Sequence, residues 1–124
     1  MNTLEKTMTT QEVADRFFFL CELGKFDLIQ EELYHENVKS SEPPGSAWKT
    51  VQGLEAVKEK SRQWNETVQE MHGGYTNKPS VAGKYFVCTM GMDVTVKGQP
   101  RMMLEEVALY EVRDGKIVEE KFFF

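Results

Sequence analysis

Three turn signals in the second half of the chain constrain the fold more than any other feature. Gly83-Lys84, Lys97-Gly98-Gln99-Pro100 and Asp114-Gly115 separate runs that read as strands. Glycine beside a polar residue supplies the positive φ that tight hairpins need, and Asp-Gly is the strongest short hairpin signal. The spacing predicts strands over 85–96, 101–112 and 117–124. An earlier strand is expected over 71–81, with bulges or bends at Gly73, Gly74 and Pro79. Four strands joined in this way form an antiparallel meander.

The first half follows a helical period. Thr9 and Glu12 have capping-box spacing. Val13, Phe17 and Leu20 recur on one face beside Ala14, Phe18 and Cys21, and Gly24 supplies the stop. A second short helix is expected to carry Phe26, Ile29 and Leu33 inward. Residues 37–42 read as a short strand and 43–51 as a loop. A third helix is expected over about 54–68, with Leu54, Val57, Ser61, Trp64 and Val68 at helical spacing. Helices segregated from strands imply an α+β domain, three N-terminal helices on one face of a mostly antiparallel sheet. The 124 residues are expected to form a single domain, 1–124, with a real hydrophobic core.

Strand alternation assigns faces. Cys88, Met90, Met92 and Val94 are expected to face the helices, because Asp93 on that side would be costly unpaired. Val87, Val107, Leu109 and Phe123 are then left on the outer face, an apolar patch that points to a homodimer. The net charge of −5 and pI near 5.1 disfavour nucleic acid and anionic membrane surfaces as partners. No apolar run is long enough to span a bilayer, and residues 1–8 lack the apolar core of a secretory signal. Cys21 and Cys88 fit a cytoplasmic protein with two buried, reduced thiols.

Glu42 is the first candidate for chemistry. It lies in Ser41-Glu42-Pro43-Pro44-Gly45-Ser46, and Pro43 holds the residue before it in extended backbone. A carboxylate projected from a strand end into an apolar cavity has a raised pKa and can exchange a proton near neutrality. The bland alternative is a solvated loop acid. His35 and His72 lie near no other ligand-type residue, so no metal site and no cofactor is expected.

The order of elements resembles the nuclear transport factor 2-like, or cystatin-like, cone, in particular the SnoaL-like polyketide cyclases and the ketosteroid isomerases. Four places carry the resemblance. They are Arg16-Phe17 with Gly24-Lys25-Phe26-Asp27, the stretch Leu33-Tyr34-His35-Glu36-Asn37-Val38, Glu42-Pro43-Pro44-Gly45-Ser46, and Val112-Arg113-Asp114-Gly115-Lys116-Ile117. The resemblance implies a strongly curved mixed sheet and a small-molecule pocket. It also implies that Glu42 replaces the isomerases' aspartate general base. The isomerases' oxyanion donors, a tyrosine and a protonated aspartate, fall at Phe17 and Ala108, which carry neither group.

The same register turns Glu106, Ala108, Tyr110, Glu120 and Phe122 inward. The implied pocket is lined by Phe17, Cys21, Trp64, Met90, Met92, Glu106, Ala108 and Phe122. Glu42, Tyr110 and Glu120 are its candidate catalytic groups. Glu106 and Glu120 read as an acid–base pair, or as acids at an open mouth in water or paired with a lysine or Arg101. Tyr110 reads as a hydrogen-bond donor to a carbonyl, or as a core tyrosine bonded to Glu42 or backbone. Trp48 reads as a lid or as a loop anchor. Three functions stay open: a cofactor-free isomerase, cyclase or dehydratase acting next to a carbonyl; a protein that binds a small apolar ligand without catalysis; and a dimeric interaction module.

Overall fold

The structure, a computed structural model, describes residues 7–124. The stretch on which the expectation of no secretory signal rests falls mostly on residues 1–6, outside the described residues. Helix α1 spans Thr10–Glu22, α2 Phe26–Leu33 and α3 Leu54–Thr67. The strands are β1 Tyr34–Ser41, β2 Val51–Gln52, β3 Val68–Thr76, β4 Ser80–Ala82, β5 Tyr85–Val96, β6 Met102–Arg113 and β7 Lys116–Phe123. They form one sheet in the order β2-β1-β7-β6-β5-β3, with β4 also on β5. Among the described residues every neighbouring pair of strands is antiparallel except β1 with β7, so the sheet is mixed and mostly antiparallel, as expected of this α+β class.

Local chemistry sets the boundaries. Thr9 Oγ1 accepts from the Glu12 amide at 3.1 Å while the Thr9 amide donates to Glu12 Oε1 at 2.8 Å, closing the capping box of α1. The turn between β6 and β7 places Asp114 at φ 48° and Gly115 at φ 74°, the two positive angles of a type I′ hairpin. Gly115 is doubly constrained, since a Cβ there would come within 3.0 Å of the Met8 amide nitrogen.

Several expectations need correction. Phe26, placed at the first turn of α2, is 59% exposed; only Ile29 and Leu33 are buried from that helix. The single strand expected over 71–81 is two strands on one edge of β5, interrupted before Ser80. It also begins earlier, directly after α3. The 43–51 loop ends in β2, whose Val51 pairs with Ser40. In β7 the pairing slips between Glu111 and Val112, so Ile117 and Glu120 both turn inward although they are three residues apart. Such bulges bend a strand and increase its twist, and others interrupt β1 against β7 and β3 against β5.

The core lies between the helices and the inner sheet face. Phe17 and Leu20 of α1 meet Phe86 and Cys88 of β5, Ala108 and Tyr110 of β6 and Ile117 of β7. Among the described residues no helix is long and apolar enough to cross a membrane.

Candidate functional site

Strand register brings distant residues into rows on the inner face. Ser40 of β1 lies beside Glu120 of β7, Glu120 opposite Tyr110 of β6, and Tyr110 opposite Phe86 of β5. Further along the same strands Phe122, Ala108 and Cys88 form a second row, then Glu106 and Met90 a third.

The aromatic side of the first row is closed. Tyr110 stacks on Phe86 at 4.8 Å, and Phe17 sits 4.8 Å from Tyr110 and 5.2 Å from Phe86. Phe17, Ala108 and Tyr110 are therefore buried core, where they had been expected to border a hollow. The Tyr110 hydroxyl makes no hydrogen bond to another described residue, and burial holds its pKa well above the ordinary value.

The other side of that row is polar. Glu120 is buried and accepts from the Tyr34 hydroxyl at one carboxylate oxygen and from Ser40 Oγ, at 2.7 Å, at the other. Ser40 Oγ in turn accepts from Lys60 Nζ at 2.7 Å, and Lys60 Nζ pairs with Glu42 Oε2 at 2.8 Å. Helix α3 supplies the lysine because α3 lies over β1. The result is a chain of groups from the core to the loop: Tyr34, Glu120, Ser40, Lys60, Glu42. Burial raises the Glu120 pKa, while its two hydroxyl donors and the Lys60 charge oppose that rise. The Lys60 and Glu42 side chains are themselves only 13% and 9% exposed. A pair so enclosed depends on its remaining hydrogen bonds.

Glu106 faces this chain without joining it. Burial, then repulsion from Glu42 and Glu120, pushes its carboxyl up to about 7, against the pull of Lys60. It hydrogen-bonds to no described residue. A carboxyl that titrates at neutrality can take or give a proton at working pH.

The loop after Glu42 is tied to α3 at two points. Glu42 meets Lys60, and one helical turn on, Trp48 packs edge-to-face on Trp64 at 6.0 Å. The loop also folds on itself, with the Glu42 amide donating to Thr50 Oγ1 at 3.1 Å. Trp48 thereby anchors the loop on α3.

Two grooves open on the surface. One of about 340 Å³ is lined by Tyr75, Thr89, Glu105, Glu106, Val107 and Phe123. Alternation along β6 turns the Glu106 side chain to the opposite face from Glu105 and Val107, so this groove belongs to the outer sheet face. The second, about 260 Å³, has Glu42, Pro43, Pro44 and Phe122 in its wall, with Lys39, Ser41, Glu119 and Lys121 from the outer side of β1 and β7. Neither opens onto Phe17, Cys21, Trp64, Met90, Met92 or Ala108.

Of the residues expected in a site, Glu42, Glu106, Glu120 and Phe122 are thus gathered around Lys60, whose Nζ lies 6.0 Å from the Phe122 ring. Trp64 joins them through the loop. Met90 and Met92 are half-buried, opposite Glu106 and Leu104. Cys21 is half-buried and Cys88 buried, with burial raising their thiols to about 11 and about 12. Arg101 pairs with Asp93, not with Glu106 or Glu120. The groups not foreseen are Tyr34, Ser40 and Lys60. Ser40 shares a strand face with Glu42, and Lys60 lies one turn before Trp64, so the periodicity carried both signals. Among the described residues no three His, Cys, Asp or Glu side chains form a metal-type cluster.

A family model, the SnoaL-like domain, matches residues 8–124. The chain belongs to the SnoaL-like family. A candidate SnoaL-like polyketide cyclase from Mesorhizobium loti is 35% identical to this SnoaL-like chain over 94% of it and 100% of its own length, with a TM-score of 0.89. A nuclear transport factor 2-like protein of unknown function from Burkholderia pseudomallei is 16% identical, with a TM-score of 0.76 over 94% of this chain and 92% of its own. A protein of unknown function with a cystatin-like fold from Xanthomonas campestris is 19% identical, with a TM-score of 0.78 over 94% and 90%. The last two share the fold and support nothing finer. No match is found among curated proteins.

Proposed function

We propose that this SnoaL-like protein moves a proton at a carbon next to the carbonyl of a small, largely apolar compound, in an isomerisation, cyclisation or dehydration. Glu106 is the group that takes and returns the proton, in place of Glu42, whose carboxylate is engaged by Lys60. The observation that carries the reading is the Glu106 carboxyl at about 7, half-buried and without a hydrogen-bond partner among the described residues. Opening of the 43–50 loop, held by Trp48–Trp64 and Glu42–Lys60, admits the substrate. The similarity to a candidate polyketide cyclase supports a carbonyl compound as the substrate class.

The test is exchange of α- and γ-protons in D₂O, followed by proton NMR over a panel of cyclic enones and β-diketones. Wild type should speed exchange for some members of the panel. Glu106→Gln should return those rates to the uncatalysed value, whereas Glu42→Gln should keep measurable exchange. Full exchange in Glu106→Gln would refute the assignment.

A second property rests on a separate observation. Met103, Val107 and Phe123 on the outer sheet face are more than a third exposed. A homodimer through this face would cover them. Phe123→Lys should convert a dimer to a monomer in sedimentation equilibrium; a wild-type monomer would end this idea. The two unpaired thiols fit a reducing compartment such as the cytoplasm.

A further inference from the structure

We propose that Lys60 is the oxyanion donor of the site: its ammonium binds the carbonyl oxygen of an enolisable substrate and holds the negative charge that the oxygen gains. The proposal rests on the reading of Glu106 as the base and adds what polarises the carbonyl.

An ammonium carries three N–H donors. Two are committed, to Ser40 Oγ at 2.7 Å and to Glu42 Oε2 at 2.8 Å. Among the described residues the third has no acceptor, although the side chain is 13% exposed. The committed pair fixes the direction of the free one. Ser40 gives its own hydrogen to Glu120, so toward Lys60 it can only accept. Glu120 is held at its other oxygen by Tyr34. The buried chain from Tyr34 to Ser40 thus positions Lys60, which gives a role to a buried carboxylate that the proton transfer itself does not use. Donors fixed in place before the reaction stabilise developing charge without reorganising, which is the main strength of an oxyanion site.

The charge balance fits. In the step proposed, the α-C–H bond breaks, its electron pair forms the C=C bond, the carbonyl π pair moves to oxygen, and the proton goes to the Glu106 carboxylate. No oxidant or reductant enters. The total charge of the site is unchanged, and one negative charge passes from Glu106 to the substrate oxygen. Lys60 already attracts the Glu106 carboxylate before the step. After it, the same cation faces the enolate. The Phe122 ring, 6.0 Å from Nζ, offers a flat apolar wall beside the oxygen site. While Glu106 is ionised the site repels anions, so the substrate admitted is neutral before reaction, a small ketone or enone; once Glu106 holds the proton, an anionic oxygen such as an enolate or phenolate is favoured beside Lys60. The Phe17 and Ala108 positions have no donor to offer, being apolar and enclosed in the core.

The probe is 4-nitrophenol, whose ionised form has a flat ring and an anionic oxygen like an enolate and absorbs in the visible. Wild type should bind the phenolate in preference to the phenol, lowering the pH at which the bound dye ionises. Lys60→Met should weaken phenolate binding about tenfold or more, Lys60→Arg should restore part of it, and Glu106→Gln, which mimics the protonated base, should keep it. In the exchange assay Lys60→Met should lower kcat by about 10²–10³-fold. The pH at which its rate rises should move upward, because Lys60 is what holds the Glu106 pKa down. Phenolate bound equally by Lys60→Met and wild type overturns the proposal. So does a wild type that binds no phenolate or shows no shift in dye ionisation, and that result needs no variant to fold. Either outcome leaves the Glu106 reading standing, since that reading is decided separately, by proton exchange and pH-dependent stability in Glu106→Gln.

Discussion

Replacing Glu106 by glutamine should stabilise the protein at alkaline pH and leave it unchanged in acid. The folded protein holds the Glu106 proton up to about 7, whereas an ordinary glutamate in the unfolded chain loses it near 4.5. Below 4.5 both states are protonated, and the buried neutral carboxyl costs nothing extra. Between those two values the unfolded state binds fewer protons than the folded one, so stability falls as pH rises. Above about 7 the loss is complete. A displacement from 4.5 to about 7, at about 1.4 kcal/mol per pH unit, gives roughly 3.5 kcal/mol as a ceiling. Partial solvent access trims this to about 2–3 kcal/mol. Glutamine has the shape of the protonated acid and never ionises. The variant should therefore gain about 2–3 kcal/mol over wild type at pH 8 and nothing at pH 4.

Urea unfolding followed by tryptophan fluorescence, at half-unit steps from pH 4 to 8, measures the difference directly. Glu120 is raised as well, but it is present in both proteins and cancels. If the two stability curves run parallel across this range, Glu106 is an ordinary solvated acid and the proposed base is lost with it. A gain in stability joined to a loss of exchange would be the trade expected where a site carries a group in an unfavourable state for the sake of its chemistry.

Other expectations follow from single contacts. Tyr34→Phe removes a donor from buried Glu120 and should cost about 1–3 kcal/mol, whereas Tyr110→Phe should be neutral or stabilising because that hydroxyl has no partner among the described residues; equal losses in urea would contradict the network. A Cβ on Gly91 would run into the Tyr75 ring, whose hydroxyl reaches Glu105 at 2.6 Å. Gly91→Ala should thus cost about 1–3 kcal/mol in wild type and markedly less in a Tyr75→Ala background, and the same cost in both would show that the ring is not the obstacle.

The parts of the fold fixed by local chemistry were legible in the sequence, and those fixed by contact between elements were not. The limits of β5 follow from glycine turns on either side, and the start of α1 from two hydrogen bonds between residues three apart. Phe26 was misplaced because periodicity says which residues share a helix face but not where that face ends at a first turn. Ile117 and Glu120 share the inner face only because of a slip in strand pairing, which the alternation of residues cannot reveal. In the site, Pro43 marked the end of the extended run to within one residue, since β1 stops at Ser41, just before Glu42. The partner of Glu42 was passed over for a physical reason: a lysine on a helix usually lies in water, although the spacing of Lys60 from Val57 and Trp64 puts it on the inward face where α3 packs over β1. Once that ion pair forms, Glu42 is engaged, and the acid left without a partner is Glu106.

The division of the interior argues that folding alone does not explain this arrangement. On one side of the inner face Phe17, Phe86 and Tyr110 fill the space with stacked rings. An apolar packing of that kind would serve stability on the other side too, since buried ion pairs are often no better than hydrophobic residues of similar size. Instead the chain places Tyr34, Ser40, Glu42, Lys60 and Glu120 there, and sets Glu106 beside them. The first five satisfy one another except at one N–H of Lys60, so packing accounts for most of their contacts. Glu106 has no such account: it meets two other acids, finds no hydrogen-bond partner among the described residues, and weakens the fold whenever it ionises. A sixth polar group of this kind fits the proposed proton transfer better than it fits a purely structural role. The oxyanion donors implied by the isomerase resemblance are missing at Phe17 and Ala108 because those positions lie in the filled half, and the donor proposed in their place, Lys60, stands at the polar half.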